Sequence, residues 1–254
     1  MKPSIVLAMA VGFGPSLCIH PALAGQLEQQ VKARCPSAAA WLSGYDGGLS
    51  AAQRHALKSI HPSDPSLAAQ LAKRYARDQA AEQAAIDAHG FSESNADAMR
   101  SARVKRLLAI QEADLEWFKP IVNAHGFPTV QEVGVEGVEH AWMLVQHADA
   151  DPEFQVKVLA ELKPRLSVEP FLKNEYALLF DRVRIGQHKK QLYGTQFTTM
   201  DGRLFMQPTD DVAHLDARRA DMNLMPISDY RCYMGVMYRL QPEPDASSHA
   251  SPSK

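Results

Sequence analysis

The chain has no excess of either charge, no spaced set of cysteines and no long apolar run beyond its first two dozen residues. Its 27 Lys and Arg are offset by 29 Asp and Glu, a formal net charge of -2. A protein that tracks phosphates needs a basic face, so no nucleic-acid partner is expected. Basic residues are interleaved with acidic ones, as at Lys73-Arg74 near Asp78 and Glu82, the pattern of a solvated helix face. Past the first two dozen residues nothing is long and apolar enough to span a bilayer, so the mature chain should have no membrane span. No Gly-x-Ser-x-Gly elbow and no His-Glu-x-x-His motif occurs, which removes the usual settings of a serine nucleophile and a protease zinc. No internal repeat is visible.

What is present points first to export. Lys2 precedes a largely apolar stretch, 5–19, and Ala22-Leu23-Ala24 before Gly25 fits a signal-peptidase site. Residues 1–24 are therefore read as a signal peptide cleaved after Ala24, which places the protein in the periplasm or outside the cell. Gly12, Gly14, Pro15, His20 and Pro21 interrupt the stretch too often for a retained anchor, and Leu17 is too bulky for lipid attachment at Cys18. Cleavage would leave Cys35 and Cys232, one near each end of the chain, where disulfides persist. A bridge between them is expected; two separate buried thiols are the alternative, because two cysteines carry no spacing pattern.

The remaining pattern is helical. Residues 25–65 read as an extension of two short helices broken at Pro36, followed by a loop with a helical turn near 51–60. Ser66 is the expected N-cap of a helix carrying Leu67, Leu71, Tyr75 and Gln79 to about His89. A helix from about Asn95 to Ala124 should be kinked or divided by Pro120. Gly134 should open the next, with Val135, Val138, Ala141, Trp142 and Val145 inward and Glu136, Glu139, His140, Gln146 and His147 on a polar arc. Asp151-Pro152 should start another.

The helix predicted over 169–186 carries one apolar stripe, Leu172, Tyr176, Leu179 and Val183, and a second, Leu178 and Ile185, interleaved with Asn174 and Asp181. A helix apolar on two faces is buried, so Asp181 needs partners. Met200-Asp201-Gly202 then predicts a hairpin over 191–206, with Gln191, Tyr193, Thr195 and Phe197 on one strand face. The expected architecture is mainly α: a compact multi-helix single domain over 66–240 with one small β-hairpin packed on the helices. Residues 241–254, rich in Pro, Ser and Asp, read as a disordered tail.

Several of these residues together resemble a bacterial domain family of unknown function. They are Asp78-Gln79, Gly126-Phe127-Pro128-Thr129, Val133-Gly134, Gln146-His147-Ala148-Asp149, Phe154-Gln155, Asp181-Arg182-Val183, Gln191-Leu192-Tyr193-Gly194-Thr195-Gln196 and Arg218-Arg219-Ala220. The Gln-x-Tyr-Gly-Thr-Gln element is the specific part. The chain departs from the pattern at Phe127, where members often have Trp, and at Glu82, where they have a basic residue, so Asp78 is not carried over as a site residue. The resemblance locates a site without naming its chemistry.

The expected ligand-binding set is His147, Asp149, Asp181, Arg182, Gln191, Tyr193, Gln196 and Arg218, with Asp181 paired to Arg182 or Arg218 and with His147 and Tyr193 facing the ligand. A small polar ligand, a peptide or a cell-wall fragment suits such a pocket. His147, Asp181 and Tyr193 are also the candidates for a water-activating hydrolase. A third reading makes the network structural and the protein an inhibitor or immunity-like module with a protein partner. No cofactor and no metal is expected: seven residues put His140 and His147 about 10 Å apart along a helix, and His147, Asp149 and Asp151 are explained as well by helix capping.

Overall fold

The computed structural model describes residues 21–89, 101–200 and 203–242. Residues 1–20 of the expected signal peptide 1–24, residues 243–254 of the expected tail 241–254 and the start of the helix expected near Asn95 lie outside the described residues. Within them the protein is mainly helical, with ten α-helices and a small sheet.

Three helices precede the main body: α1 (Pro21–Arg34), α2 (Pro36–Gly44) and α3 (Ala51–Lys58). Pro36 is tolerated at the first position of α2, where its missing N–H is not needed. Helix α4 (Pro65–His89) starts two residues earlier than a cap at Ser66 would allow. Asp64 takes that role, accepting from the Leu67 N–H at 2.9 Å, and Pro65 fills the first helical position. Helix α5 (Ala102–His125) runs undivided through Pro120, and Gly126 (φ +83°) ends it. Helix α6 (Val130–Gln146) opens with a capping box between Thr129 and Glu132. Gly134 (φ +75°) kinks it after the first turn, so the expected helix start at Gly134 is an internal break.

Asp151 caps α7 (Pro152–Leu162) through the Phe154 N–H at 3.0 Å, as its Asp-Pro start predicts. A 3-10 turn, Lys163–Ser167, leads to α8 (Leu172–Gly186), which begins three residues later than the apolar pattern suggests. Strands β1 (Phe197–Met200) and β2 (Arg203–Met206) pair antiparallel with Met200 opposite Arg203. That register leaves two residues to close the hairpin, the length the Asp-Gly pair predicts. Helices α9 (Leu215–Asp221) and α10 (Ile227–Met237) follow, and β3 (Gln241–Pro242) adds a parallel third strand to β2.

Two apolar cores result. The larger joins α4, α5, α6, α7 and α8 around Leu71, Phe118, Val138, Val145, Leu162 and Leu178, with Phe118 edge-on to Phe127 and Phe154. The smaller joins Val31 and Ala38 to Phe197, Leu204, Tyr230 and Met234. The N-terminal extension is thus half of a core, and the Cys35–Cys232 disulfide, spanning 197 residues of sequence, fastens it to α10.

Candidate functional site

Asp181 and Arg182 are consecutive on α8, so their side chains leave the helix about 100° apart. This angle separates two polar networks that the sequence reading had merged.

The first network surrounds Asp181, which is fully buried. Its carboxylate accepts from the backbone N–H of Leu192 (2.7 Å), Tyr193 (3.1 Å) and Thr195 (3.0 Å) and from the Thr195 hydroxyl (3.0 Å). The loop's carbonyls are held from the other side. Arg218 Nε donates to the Leu192 carbonyl at 2.9 Å, and Arg219 Nη1 donates to that of Tyr193 at 2.6 Å. Gln191 Nε2 donates to the carbonyls of Gln196 (3.1 Å) and Gln207 (2.9 Å), while its Oε1 accepts from the Gln196 N–H at 2.8 Å. Gln196 Nε2 reaches back to the Leu178 carbonyl at 3.3 Å.

Residues 192–196 are therefore a loop closed on a buried carboxylate, and strand β1 starts only at Phe197. The expected alternation over 191–197 and the expected pairing of Asp181 with Arg182 or Arg218 are both corrected. Successive N–H groups converge on one anion, which an extended strand cannot arrange. Gly194 supplies the positive φ, +65°, that the reversal needs.

The second network gathers charges from α4, α8 and the turn that ends α6. Asp78 on α4 accepts from His147 Nδ1 at 2.8 Å, and Gln79 Nε2 donates to both Asp78 (3.1 Å) and Glu82 (3.2 Å). One donor atom from each of Asp78, Glu82 and His147 lies within 4.8 Å of the others. Arg182 Nε and Nη2 donate to the two oxygens of Asp149 at 2.6 and 2.5 Å, a bidentate pair. Gln155 Nε2 ties Asp149 Oδ1 (3.3 Å) to the Val145 carbonyl (3.1 Å), which fixes the end of α6 against α7. Tyr238, just past α10, is buried, with Glu82 and Arg182 among its charged neighbours.

His147 and Asp78 are 8% and 1% exposed, so this charge is interior rather than a solvated helix arc. Gln146, also placed on that arc by periodicity, is fully buried. Burial opposes the imidazolium form of His147, but the Asp78 carboxylate outweighs it, with help from Glu82, and pushes the group up to about 9. Burial likewise acts against ionised Asp78, yet His147 holds it below the usual carboxylate range. For Glu82 burial wins and raises the carboxyl. At neutral pH the site holds an imidazolium, a guanidinium and at least two carboxylates.

Of the expected site residues, the fold brings together His147, Asp149 and Arg182. It places Asp181, Gln191, Gln196 and Arg218 in the loop network. The Tyr193 ring packs edge-on to Phe180 at 5.8 Å, and its charged neighbours are Asp181, Arg218 and Asp221 rather than His147. Asp151 is engaged by Lys119. The sequence reading named Asp78 only to set it aside, on account of the departure at Glu82, and gave Glu82 itself no role in the site. Yet Asp78 and Glu82 stand seven and eleven residues after Leu71, in phase with Leu71 and Tyr75, so two carboxylates continue an apolar helix face and need partners.

A match to a known family spans residues 65–242, most of the chain and all of both networks. The chain belongs to DUF6624, a family of unknown function. No curated protein and no solved structure matches it. The DUF6624 match begins at α4, so α1, α2 and α3, together with Cys35, lie ahead of the matched span.

A third group of polar residues stands apart from both networks. Glu175 is buried beneath Trp142, whose Nε1 donates to the Glu175 carbonyl at 2.9 Å. Burial, with Glu139 nearby, pushes the Glu175 carboxyl up to about 8; burial, with Glu136, pushes Glu139 up to about 7.

Proposed function

We propose that this protein is exported and recognises a small polar ligand at the cluster of Asp78, Glu82, His147, Asp149 and Arg182. The observation that carries the reading is the convergence of these five ionisable side chains from α4, α8 and the turn that ends α6, with Asp78, His147 and Arg182 buried. Replacing a buried ion pair by apolar side chains often leaves stability unchanged or improved, so such a cluster is poorly explained by stability alone. His147 and Arg182 together suit an anionic group, such as the carboxylate of a peptide or a cell-wall fragment, and the surrounding Gln and Tyr side chains suit its polar remainder. Export is supported by the signal-like first 24 residues and by the Cys35–Cys232 bridge. No helix among the described residues is long and apolar enough to cross a membrane.

The test is a thermal-shift screen of the purified protein against muropeptides, amino acids, nucleotides and sugars, repeated on His147→Ala and Arg182→Ala. A compound that binds only the folded state raises apparent stability by mass action. The expected result is a hit lost in both variants. No hit, with both variants less stable than the parent, contradicts the reading and favours a protein partner on the surface.

The Asp78–His147 hydrogen bond favours one further reading, turnover of the ligand, because a carboxylate that orients an imidazole is a recurring acid-base arrangement. Asp181, saturated by loop donors, has no part in it. Product formation from the hit, abolished in Asp78→Asn, is the expected sign of catalysis.

A further inference from the structure

We propose that Asp78, Glu82 and His147 form a binding site for one divalent transition-metal ion. The inference deepens the ligand-recognition reading and rests on it only for the placement of the ligand beside the ion. Asp78 and Glu82 are four residues apart on α4 and so project from one face of the helix, while His147 comes from the end of α6. The three donor atoms lie within 4.8 Å of one another, close enough for small side-chain shifts to place all three about 2.0–2.2 Å from one ion. Two of the three residues are buried, so this is no chance grouping of surface acids.

The supporting shell is also present. Gln79 donates to both carboxylates and Gln111 to Asp78, which holds the oxygens in place as outer partners of metal ligands do. Arg182, the neighbouring cation, is matched by its own carboxylate, Asp149, so once His147 gives up its proton to ligate, the Asp78 carboxylate that faced the imidazolium faces the ion instead. Three protein ligands leave coordination positions open, as in sites where a metal binds a substrate or water. One imidazole nitrogen among carboxylate oxygens selects Zn²⁺ or Mn²⁺ over Ca²⁺ and Mg²⁺, which take oxygen ligands. The imidazole nitrogen that ligates gives up its proton to solvent. An anionic ligand group would then bridge the ion and Arg182.

The test is calorimetric titration of the full-length, chelator-treated protein with zinc chloride and with manganese chloride. The parent should bind one equivalent of at least one ion, and should bind calcium and magnesium at least about tenfold more weakly. Glu82→Gln and His147→Gln should each weaken binding by about 100-fold or more. His214→Ala, which removes an exposed His paired with Asp211, should leave it unchanged. Absence of a one-to-one ion in the parent overturns the proposal whatever the variants do, and so does equal binding in parent, Glu82→Gln and His147→Gln. A ligand hit on a parent that takes up no ion in the titration upholds recognition and overturns the metal; a bound ion with no ligand hit does the reverse.

Discussion

Asp181 is a buried carboxylate with four donor groups, three of them backbone N–H of one loop. Asp181→Asn would turn an amide donor toward N–H groups that have no other acceptor. The expected loss is about 2–4 kcal/mol in urea unfolding, the scale for buried donors left unpaired around a lost charge; an unchanged midpoint would show that the loop does not depend on Asp181. Glu175 gives a prediction of opposite sign. Its folded value, about 8, lies above the ordinary 4.5. Between those pH values the unfolded chain has released a proton that the folded chain keeps, so stability falls as pH rises through that window. Glu175→Gln removes this slope. The variant should match the parent near pH 4.5 and exceed it by roughly 1–3 kcal/mol at pH 8.5. Parallel stability profiles for the two proteins would contradict the assignment.

Among the elements, those set by local chemistry could be read in advance. The Pro36 break, the Asp151-Pro152 start, the hairpin register and the two-faced burial of α8 all follow from capping, turn residues or periodicity. The loop at 192–196 could not be read, because Gln191 and Thr195 alternate like strand residues and only a distant carboxylate and two arginines reveal the turn. For the same reason the Gln-x-Tyr-Gly-Thr-Gln stretch forms a structural loop, while the charged cluster sits in the plainer Asp-Gln, His-Ala-Asp and Asp-Arg stretches. Asp78 was set aside because Glu82 departs from the resembled pattern, and the helical repeat was followed through Gln79, one residue past Asp78, so neither carboxylate was read as part of the inward face. The loop account predicts a cost at Gly194. A Cβ there would sit 3.1 Å from Met206 Sδ and 3.2 Å from Leu215 Cδ2 at a φ of +65°. Gly194→Ala should lose about 1–3 kcal/mol by denaturant midpoint, and a neutral change would rule out the tight reversal.

At the scale of the molecule, the disulfide joins α1 and α2, which precede the family match, to the middle of α10, from whose end the chain leads to Tyr238, with Glu82 and Arg182 among its charged neighbours. Closing so long a loop stabilises by roughly 5 kcal/mol in the chain-entropy model, and removal of native bridges costs about 2–5 kcal/mol. Cys35→Ser should lose a sum in that range and expose α1 and α2 to limited proteolysis, as should reductant acting on the parent; equal protease resistance would show that the smaller core holds without its bridge. The central claim, that the charge cluster exists to hold a ligand, is tested most directly by native mass spectrometry of the protein purified under gentle conditions from the medium or periplasm of an expressing cell. The account predicts a small polar adduct on the parent that is missing from a folded His147→Ala variant. A parent mass with no adduct, or the same adduct on both proteins, would contradict it.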